Sequence, residues 1–121
     1  MATAQIIASD RWNLVVLRGV IHREVEHRSL PSGTEVASFD LDTGDAAGAH
    51  ELVPVAWHEP SGDLAAGLDV VVTGRVRRRF FRTAGGTQSR TEVVADTVVA
   101  ARQHRRVVGA IGKALAPVNG A

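Results

Sequence analysis

The sequence predicts an all-β domain built as a barrel of five strands. Apolar and polar residues alternate with a period of two over five separate segments, as they do in half-buried strands. Segments rich in glycine and proline, which favour turns, separate these strands. A chain of 121 residues has the usual size of one domain and is long enough to bury a core.

The first strand begins at Asn13 and continues as one long, bent strand toward Arg28. Gly19 in its interior predicts a bulge or a sharp coil, as small barrels need. Residues 30–33 (Leu-Pro-Ser-Gly) predict a turn, because proline fixes φ and glycine permits unusual backbone angles. The second strand covers Glu35 to Asp42. Its inward-facing residues are predicted to be Ala37, Phe39 and Leu41.

A third strand is predicted from Glu51 to His58. Pro54 cannot donate a backbone hydrogen bond, so this strand should lie at an edge or be bulged there. Residues 59–67 predict a loop with at most one or two helical turns, which gives a short helical segment between strands 3 and 4. Trp57 ends the third strand, and its position is compatible with either a core side chain or an exposed aromatic platform.

The fourth strand, Asp69 to Arg82, carries the strongest functional signal. One face of this strand, which carries Val72 and Val76, is predicted to face the core, and alternation assigns Phe80 to the same face. The opposite face carries Arg75, Arg77, Arg79 and Phe81. Guanidinium groups at every second residue, ending on an aromatic ring, form a track for a polyanion with a stacking platform. The alternative interpretation is a solvated outer strand whose charges prevent edge pairing.

The remaining segments complete the barrel. A hairpin through Ala84 to Gly86 leads to a β-branched fifth strand from Arg90 to Ala100. Gln103 to Leu115 admits a C-terminal helix, although two glycines make it marginal on its own. The predicted division is an N-terminal arm over residues 1–12, a barrel domain over residues 13–101 and a C-terminal tail over residues 102–121.

Charge is strongly segregated behind a net charge of +1. Residues 29–74 hold eight acids and no lysine or arginine, whereas residues 75–91 hold six arginines and no acid. The absence of cysteine excludes disulfides and thiolate chemistry. We expect a cytoplasmic protein, because the sequence shows neither a secretion signal nor an apolar run of membrane-spanning length.

Acidic residues and a histidine between the second and third strands offer oxygen and imidazole ligands to a metal. These residues are Asp40, Asp42, Asp45, His50 and Glu51. Because the acids alternate on a predicted exposed face, where charges ordinarily face water, no metal site is predicted. The other histidines, such as His22, show no spacing typical of a site. No catalytic triad order or phosphate-binding loop occurs, so we expect neither an enzyme nor a bound cofactor.

The five strands, the short helical segment and the turns lie at spacings that suggest a small Greek-key barrel of the OB type. Within this pattern, five motifs follow one another over residues 13–99. They are Asn13-x-Val15-x-Leu17-x-Gly19; Glu26-x-Arg28 with Leu30-Pro31-Ser32-Gly33; Val36-Ala37-x-Phe39-x-Leu41; Leu68-x-x-x-Val72-x-Gly74-Arg75-Val76-Arg77-x-Arg79; and Thr91-Glu92-Val93-Val94-Ala95. In these motifs the chain resembles the bacterial single-stranded DNA-binding protein family. The resemblance implies an OB fold, homotetramers built from dimers, and sequence-independent wrapping of single-stranded DNA, without catalysis, in replication, recombination or repair.

The resemblance also implies roles for particular residues. Phe81 falls where the family usually has a base-stacking tryptophan on the fourth strand, and Trp57 falls where it has a stacking aromatic at the end of the third. The complete set of predicted nucleic-acid-binding residues is Arg75, Arg77, Arg79, Phe81, Trp57, Arg18, Arg82 and Arg90.

Several positions depart from the family pattern. Glu51 stands where the family has a tryptophan, small residues around Ala47 stand where it often has another, and Val25 replaces a common proline. We expect no recruitment through an acidic, hydrophobic-tipped C-terminal tail, since the sequence given shows none. A second function therefore stays open, a degenerate OB module for protein interaction or oligomerisation. The acids near Asp40 favour it, because they repel phosphate.

Overall fold

The computed structural model describes residues 11–45 and 47–120, and the predicted N-terminal arm lies largely outside this range. Five strands and a C-terminal helix are present, which confirms the predicted strand content. The elements are β1 (Val15–Ser29), β2 (Glu35–Asp42), β3 (Leu52–His58), β4 (Asp69–Thr83), β5 (Gly86–Ala100) and α1 (His104–Leu115).

The five strands form one closed barrel in the order β1-β2-β3-β5-β4. All pairings are antiparallel except that of β3 with β5, which is parallel and short, covering Val55 to Trp57 on β3. Pro54 lies one residue before this parallel ladder, where it removes no hydrogen bond to β5. This strand order is consistent with a barrel of the OB type.

The core lies inside the barrel and is built by the alternating apolar faces of all five strands. Ile21, Leu41 and Val72 are fully buried at its centre. Ala37, Phe39 and Leu41 are all buried, which confirms the inward face predicted for β2. Trp57 belongs to the same cluster and is only 5% exposed.

The sequence predicted a bulge at Gly19, but the bulge of β1 lies further along the strand. The pairing of β1 with β2 shifts register between His22 and Glu26, and Arg23 within this stretch has φ of 62°. Gly19 serves a different purpose. A Cβ atom there would lie 2.2 Å from the carbonyl oxygen of Asp42, so only glycine lets β1 and β2 approach this closely.

The connection between β3 and β4 contains no helix, so the prediction of a helical segment there is wrong. Its backbone instead bonds to β1. The N–H of Gly67 donates to the carbonyl of Ile21 at 2.8 Å, and the N–H of Ile21 donates to Leu68 at 3.0 Å. Leu64 and Leu68 also pack against the core. Hydrogen bonds to β1 thus satisfy backbone groups of this segment, and the two leucines extend the core.

The predicted C-terminal helix does form, as α1. It lies near β4, β5 and β1, but it contributes no fully buried residue. Among residues 11–45 and 47–120, no helix has the length and apolar character needed to cross a membrane.

The β4–β5 hairpin extends well beyond the barrel. β4 pairs with β1 only as far as Gly74, and the side chain of Asn13 then bonds to both backbone groups of Val76, at 2.7 and 2.9 Å. On β5, pairing with β3 begins only at Val93. Residues 77–92 therefore pair only with one another, and we call them the hairpin arm.

The hairpin arm corrects the prediction for Phe80. This side chain has the parity of a core position, but it is 65% exposed. Alternation continues along β4 after the barrel has ended, so the face that is core at Val72 meets solvent at Phe80.

The buried position of Trp57 and the exposed position of Phe80 give a stability prediction. Trp57→Ala should lower the free energy of unfolding by about 3–5 kcal/mol, because it empties a core position. Phe80→Ala should change it by less than about 0.5 kcal/mol, because the ring is solvated. Urea denaturation followed by circular dichroism measures both. A loss for Phe80→Ala as large as that for Trp57→Ala would contradict the placement of the barrel end.

Candidate nucleic-acid interface

An open groove of about 800 Å³ separates the outer half of β1 from the hairpin arm. β1 contributes residues from His22 to Arg28, and the ends of β2 and β3 contribute Asp40 and Pro54. Across the groove, the hairpin arm contributes Arg79, Arg90 and Glu92. The groove is thus polar and open, and cationic groups stand on both of its sides.

The predicted arginine track does share one face of the hairpin. Directly opposed residues of antiparallel strands point to the same side, and the register pairs Arg77 with Glu92, Arg79 with Arg90, and Phe81 with Gln88. Arg79 and Arg90 therefore oppose each other as like charges at the edge of the groove. Arg90 also approaches Asp40 of β2, with 3.8 Å between Nη2 and Oδ1.

Glu92 neutralises part of this track. Its carboxylate is almost fully buried and accepts a hydrogen bond from Nη2 of Arg77 at 2.6 Å. The Nε atom of Arg79 lies 3.5 Å from the other carboxylate oxygen. One carboxylate is therefore shared by two guanidinium groups, which leaves this cluster with a net positive charge.

The ionisation of Glu92 depends on the same contacts. Burial raises the pKa of Glu92, but the hydrogen bond from Arg77 and the charges of Arg79 and Arg77 outweigh it, so the pKa lies below its ordinary value. The Nε atoms of Arg77 and Arg79 are themselves buried without a hydrogen-bond acceptor in the described part of the chain. Each of these arginines thus has one unpaired N–H inside the cluster around Glu92.

The other predicted arginines lie in different surroundings. Arg75 forms an ion pair with Asp96 at 3.4 Å, outside the groove lining. Arg18 lies outside it too and binds both oxygens of Asp69, at 2.9 and 3.2 Å. Hydrogen bonding to Asp69, together with the negative charge of Asp69, raises the pKa of Arg18.

Two arginines of β4 have no acidic partner in the part of the chain that the structure describes. Within residues 11–45 and 47–120, neither Arg78 nor Arg82 contacts a carboxylate, and both are exposed. Arg78 instead donates to the hydroxyl of Ser89 at 3.2 Å. The sequence analysis included Arg82 among the site residues but not Arg78, although both share the strand face of Val76 and Phe80.

Each face of the hairpin arm pairs a guanidinium with a phenyl ring. The Cζ atom of Arg79 lies 5.4 Å from the ring centre of the half-buried Phe81, and that of Arg78 lies 5.7 Å from the ring centre of Phe80. Phe80 was missed as an exposed aromatic. The stacking role predicted for Trp57 is wrong, because its ring is part of the core.

At the start of the connection between β2 and β3, the carboxylate of Asp42 is held by several hydrogen bonds. Asp42 accepts hydrogen bonds from His50 and from the backbone N–H groups of Gly44 and Glu51. The bond from His50, followed by that from Gly44, lowers the pKa of Asp42 to about 2. Asp42 therefore stays ionised beside His22, which lines the groove.

Comparison with known proteins identifies the family. Over 97 residues the chain is 35% identical to single-stranded DNA-binding protein 4 of Streptococcus agalactiae, and the match covers 70% of each chain. The chain belongs to the single-stranded DNA-binding protein family. It is also 36% identical over 98 residues to a single-stranded DNA-binding protein of Oceanobacillus iheyensis, covering 71% of this chain but 61% of that relative's length. No family model matches the chain.

Membership of the single-stranded DNA-binding protein family confirms the resemblance carried by the five sequence motifs. The relatives' names state what those proteins bind, and they leave the binding residues of this chain unassigned.

The pKa of Glu92 generates a prediction of pH-dependent stability. A carboxylate whose native pKa lies below its ordinary value of 4.5 stabilises the fold fully above that value, and loses this contribution as pH falls through the native pKa. Glu92→Gln should therefore lower the free energy of unfolding by about 1–3 kcal/mol at pH 7, and by less below pH 4.5.

Urea denaturation at pH 7 and at successively lower pH measures this difference. Glu26→Gln is the matched control, because Glu26 is exposed and shows no ion pair among the described residues. If Glu92→Gln loses no free energy of unfolding relative to the unmodified protein, or loses the same amount at every pH, the coupling of Glu92 to the two arginines is contradicted.

Proposed function

We propose that this chain binds single-stranded DNA without reading its sequence, along the hairpin arm and the adjoining groove. The observation that carries the proposal is an arm projecting from the barrel with arginines and an accessible phenyl ring. Family membership supports single-stranded DNA as the ligand, because both relatives are named as single-stranded DNA-binding proteins. The proposed role is binding without catalysis in DNA replication, recombination or repair.

Phosphate contacts are proposed for the cations on the hairpin arm. Arg78 and Arg82 come first, because no carboxylate of the described chain compensates them. Arg79 and Arg90 contribute at the groove, where their mutual repulsion would be relieved by a phosphate between them. Arg77 is more fully neutralised by Glu92, and its contribution should be smaller.

Base stacking is proposed for the two phenylalanines. The exposed Phe80 offers an open ring, and Phe81 offers part of its ring on the groove-facing side of the arm. Every base has an aromatic face, so stacking on a phenyl ring is tolerant of sequence. Arg18, which is outside the groove lining and bound to Asp69, is a weaker candidate, and the buried Trp57 is not proposed.

An OB-fold homo-oligomer is the assembly that we propose. The barrel order supports the OB assignment. The outer face of β1 exposes Val16 and Val20, the latter to 43%, and an apolar stripe of this kind is typically covered by a partner. Light scattering at micromolar concentration tests the assembly, and a monomer would contradict it.

A protein-interaction module remains the second candidate function. Glu92, Asp96 and Asp40 neutralise arginines that the sequence assigned to DNA. A hairpin arm with balanced charge and an exposed ring is also suited to a protein partner. Direct measurement of DNA binding separates the two functions.

The test is a titration of oligo-dT at several salt concentrations with single variants. Arg82→Gln should weaken binding and reduce the slope of log K against log salt by about 0.7, the loss of one phosphate contact. Arg105→Gln on α1 is the control, because it removes an exposed cation far from the arm, and it should leave the slope unchanged.

Phe80→Ala and Phe81→Ala should each weaken binding by about 1–3 kcal/mol where a base stacks, with little change in slope. A protein that fails to bind oligo-dT at low salt would contradict the proposal and favour the protein-interaction module. Equal effects of Arg82→Gln and Arg105→Gln would show that binding does not use the hairpin arm.

A further inference from the structure

Three residues that are distant in sequence converge at one end of the groove. His22 lies on β1, Asp42 ends β2, and His50 lies in the loop before β3. Their side chains can present one ligand atom each, with all three atoms within 4.8 Å of one another. The two imidazole rings are 5.3 Å apart between centres and inclined by 50°. The barrel register brings them together, because His22 pairs with Asp40, two residues before Asp42.

The carboxylate of Asp42 is held in a fixed orientation. Its Oδ1 atom accepts from the N–H of Gly44 at 2.9 Å and from the N–H of Glu51 at 3.2 Å. These bonds leave Oδ2 to face His50. Outer hydrogen bonds of this kind commonly fix the carboxylate ligands of metals.

The loop that carries His50 is tightly closed. The N–H of Thr43 donates to the carbonyl of Glu51 at 2.9 Å. A Cβ atom at Gly44 would lie 1.8 Å from the carbonyl oxygen of Ala49, so the two sides of the loop touch through backbone. His50 is therefore held beside Asp42 by the loop itself, while its side chain remains 65% exposed.

We propose that His22, Asp42 and His50 form a binding site for a transition-metal ion of the zinc type. Two imidazole nitrogens and one carboxylate oxygen form a ligand set that suits Zn²⁺ or Co²⁺. The hard cations Mg²⁺ and Ca²⁺ prefer oxygen ligands throughout. Three protein ligands leave a fourth tetrahedral position for water.

The present spacing is not that of a loaded site. Bonds of about 2.0–2.1 Å to a tetrahedral ion place the donor atoms roughly 3.4 Å from one another. Here the three atoms lie within 4.8 Å, and the hydrogen-bonded Asp42–His50 pair is closer than two ligands of one ion would be. Metal binding would therefore replace this hydrogen bond and reorient the exposed His50 ring. An ion pair between Asp42 and His50 would explain their own contact, but it would not require the second imidazole of His22 at the same carboxylate.

A metal at this site would join the β2–β3 loop to β1. It would also place positive charge beside Asp42, at the end of the groove that His22 lines. The site is distinct from the arginines of the hairpin arm, so its test does not depend on DNA binding.

The experiment uses the full chain after treatment with a chelator that is then removed. Titration calorimetry with ZnCl2 should show one saturable Zn²⁺ per chain, and Zn²⁺ should raise Tm, whereas MgCl2 should do neither. His22→Ala and His50→Ala should each weaken Zn²⁺ binding by at least about tenfold. His27→Ala is the matched control, because His27 lies on the same strand and lines the groove outside the cluster.

A spectroscopic measurement complements the calorimetry. Co²⁺ added in place of Zn²⁺ should give visible absorption bands of a tetrahedral ion, and these bands should disappear in His50→Ala. No saturable Zn²⁺ binding, or binding that His22→Ala and His50→Ala leave equal to that of His27→Ala, would overturn the proposal and leave an Asp42–His50 ion pair only. Urea denaturation of the metal-free variants confirms that each remains folded, since the exposed His50 can be replaced without opening the core.

Discussion

The end of the β1–β4 ladder is the constraint on which the interface depends. β4 has strand partners on both sides as far as Gly74, where a Cβ atom would lie 2.1 Å from the carbonyl of Val94. The Asn13 amide then takes the place of a strand partner at Val76. Beyond Val76, β4 and β5 pair only with each other. A hairpin that leaves its barrel exposes both faces, and one of its faces forms a side of the groove.

If the hairpin arm binds DNA as proposed, Glu92 sets the balance between its stability and its affinity. Two guanidinium groups packed side by side would repel each other, and the buried carboxylate between them removes that cost. In the proposed complex the same carboxylate would compete with phosphate for both arginines. Its pairing with Arg77 and Arg79 lowers the cationic charge that a bound strand would meet on the arm.

The sequence predicted much of this architecture because strand alternation and turn chemistry are local properties. The bounds of β2 and the inward positions of Phe39 and Leu41 follow from a period of two and from the flanking turns. The arginine face of β4 follows from the same rule. Family membership could also be anticipated, since the motifs occur in order along one chain.

The errors arise where an outcome depends on distant parts of the chain. Alternation states which residues share a face, but the position at which β1 stops pairing decides whether that face meets core or water, as Phe80 shows. Glu92 lies just outside the arginine-rich segment, and cross-strand register alone places it between Arg77 and Arg79. The meeting of His22 with His50 likewise depends on the β1–β2 register, which pairs His22 with Asp40. Spacing along the sequence carries no signal of it.

Binding of oligo-dT by Glu92→Gln, at low and at moderate salt, tests the central claim most directly. Removal of the competing carboxylate should free Arg77 and Arg79 for phosphate, so affinity at low salt should rise and the salt slope should steepen by up to about 1.4, or two phosphate contacts. Asp63→Asn makes the same change in net charge at an exposed position outside the groove lining, and it should have little effect on the slope. Affinity and slope equal to those of Asp63→Asn, in a folded Glu92→Gln protein, would contradict a DNA-binding hairpin arm whose charge Glu92 controls.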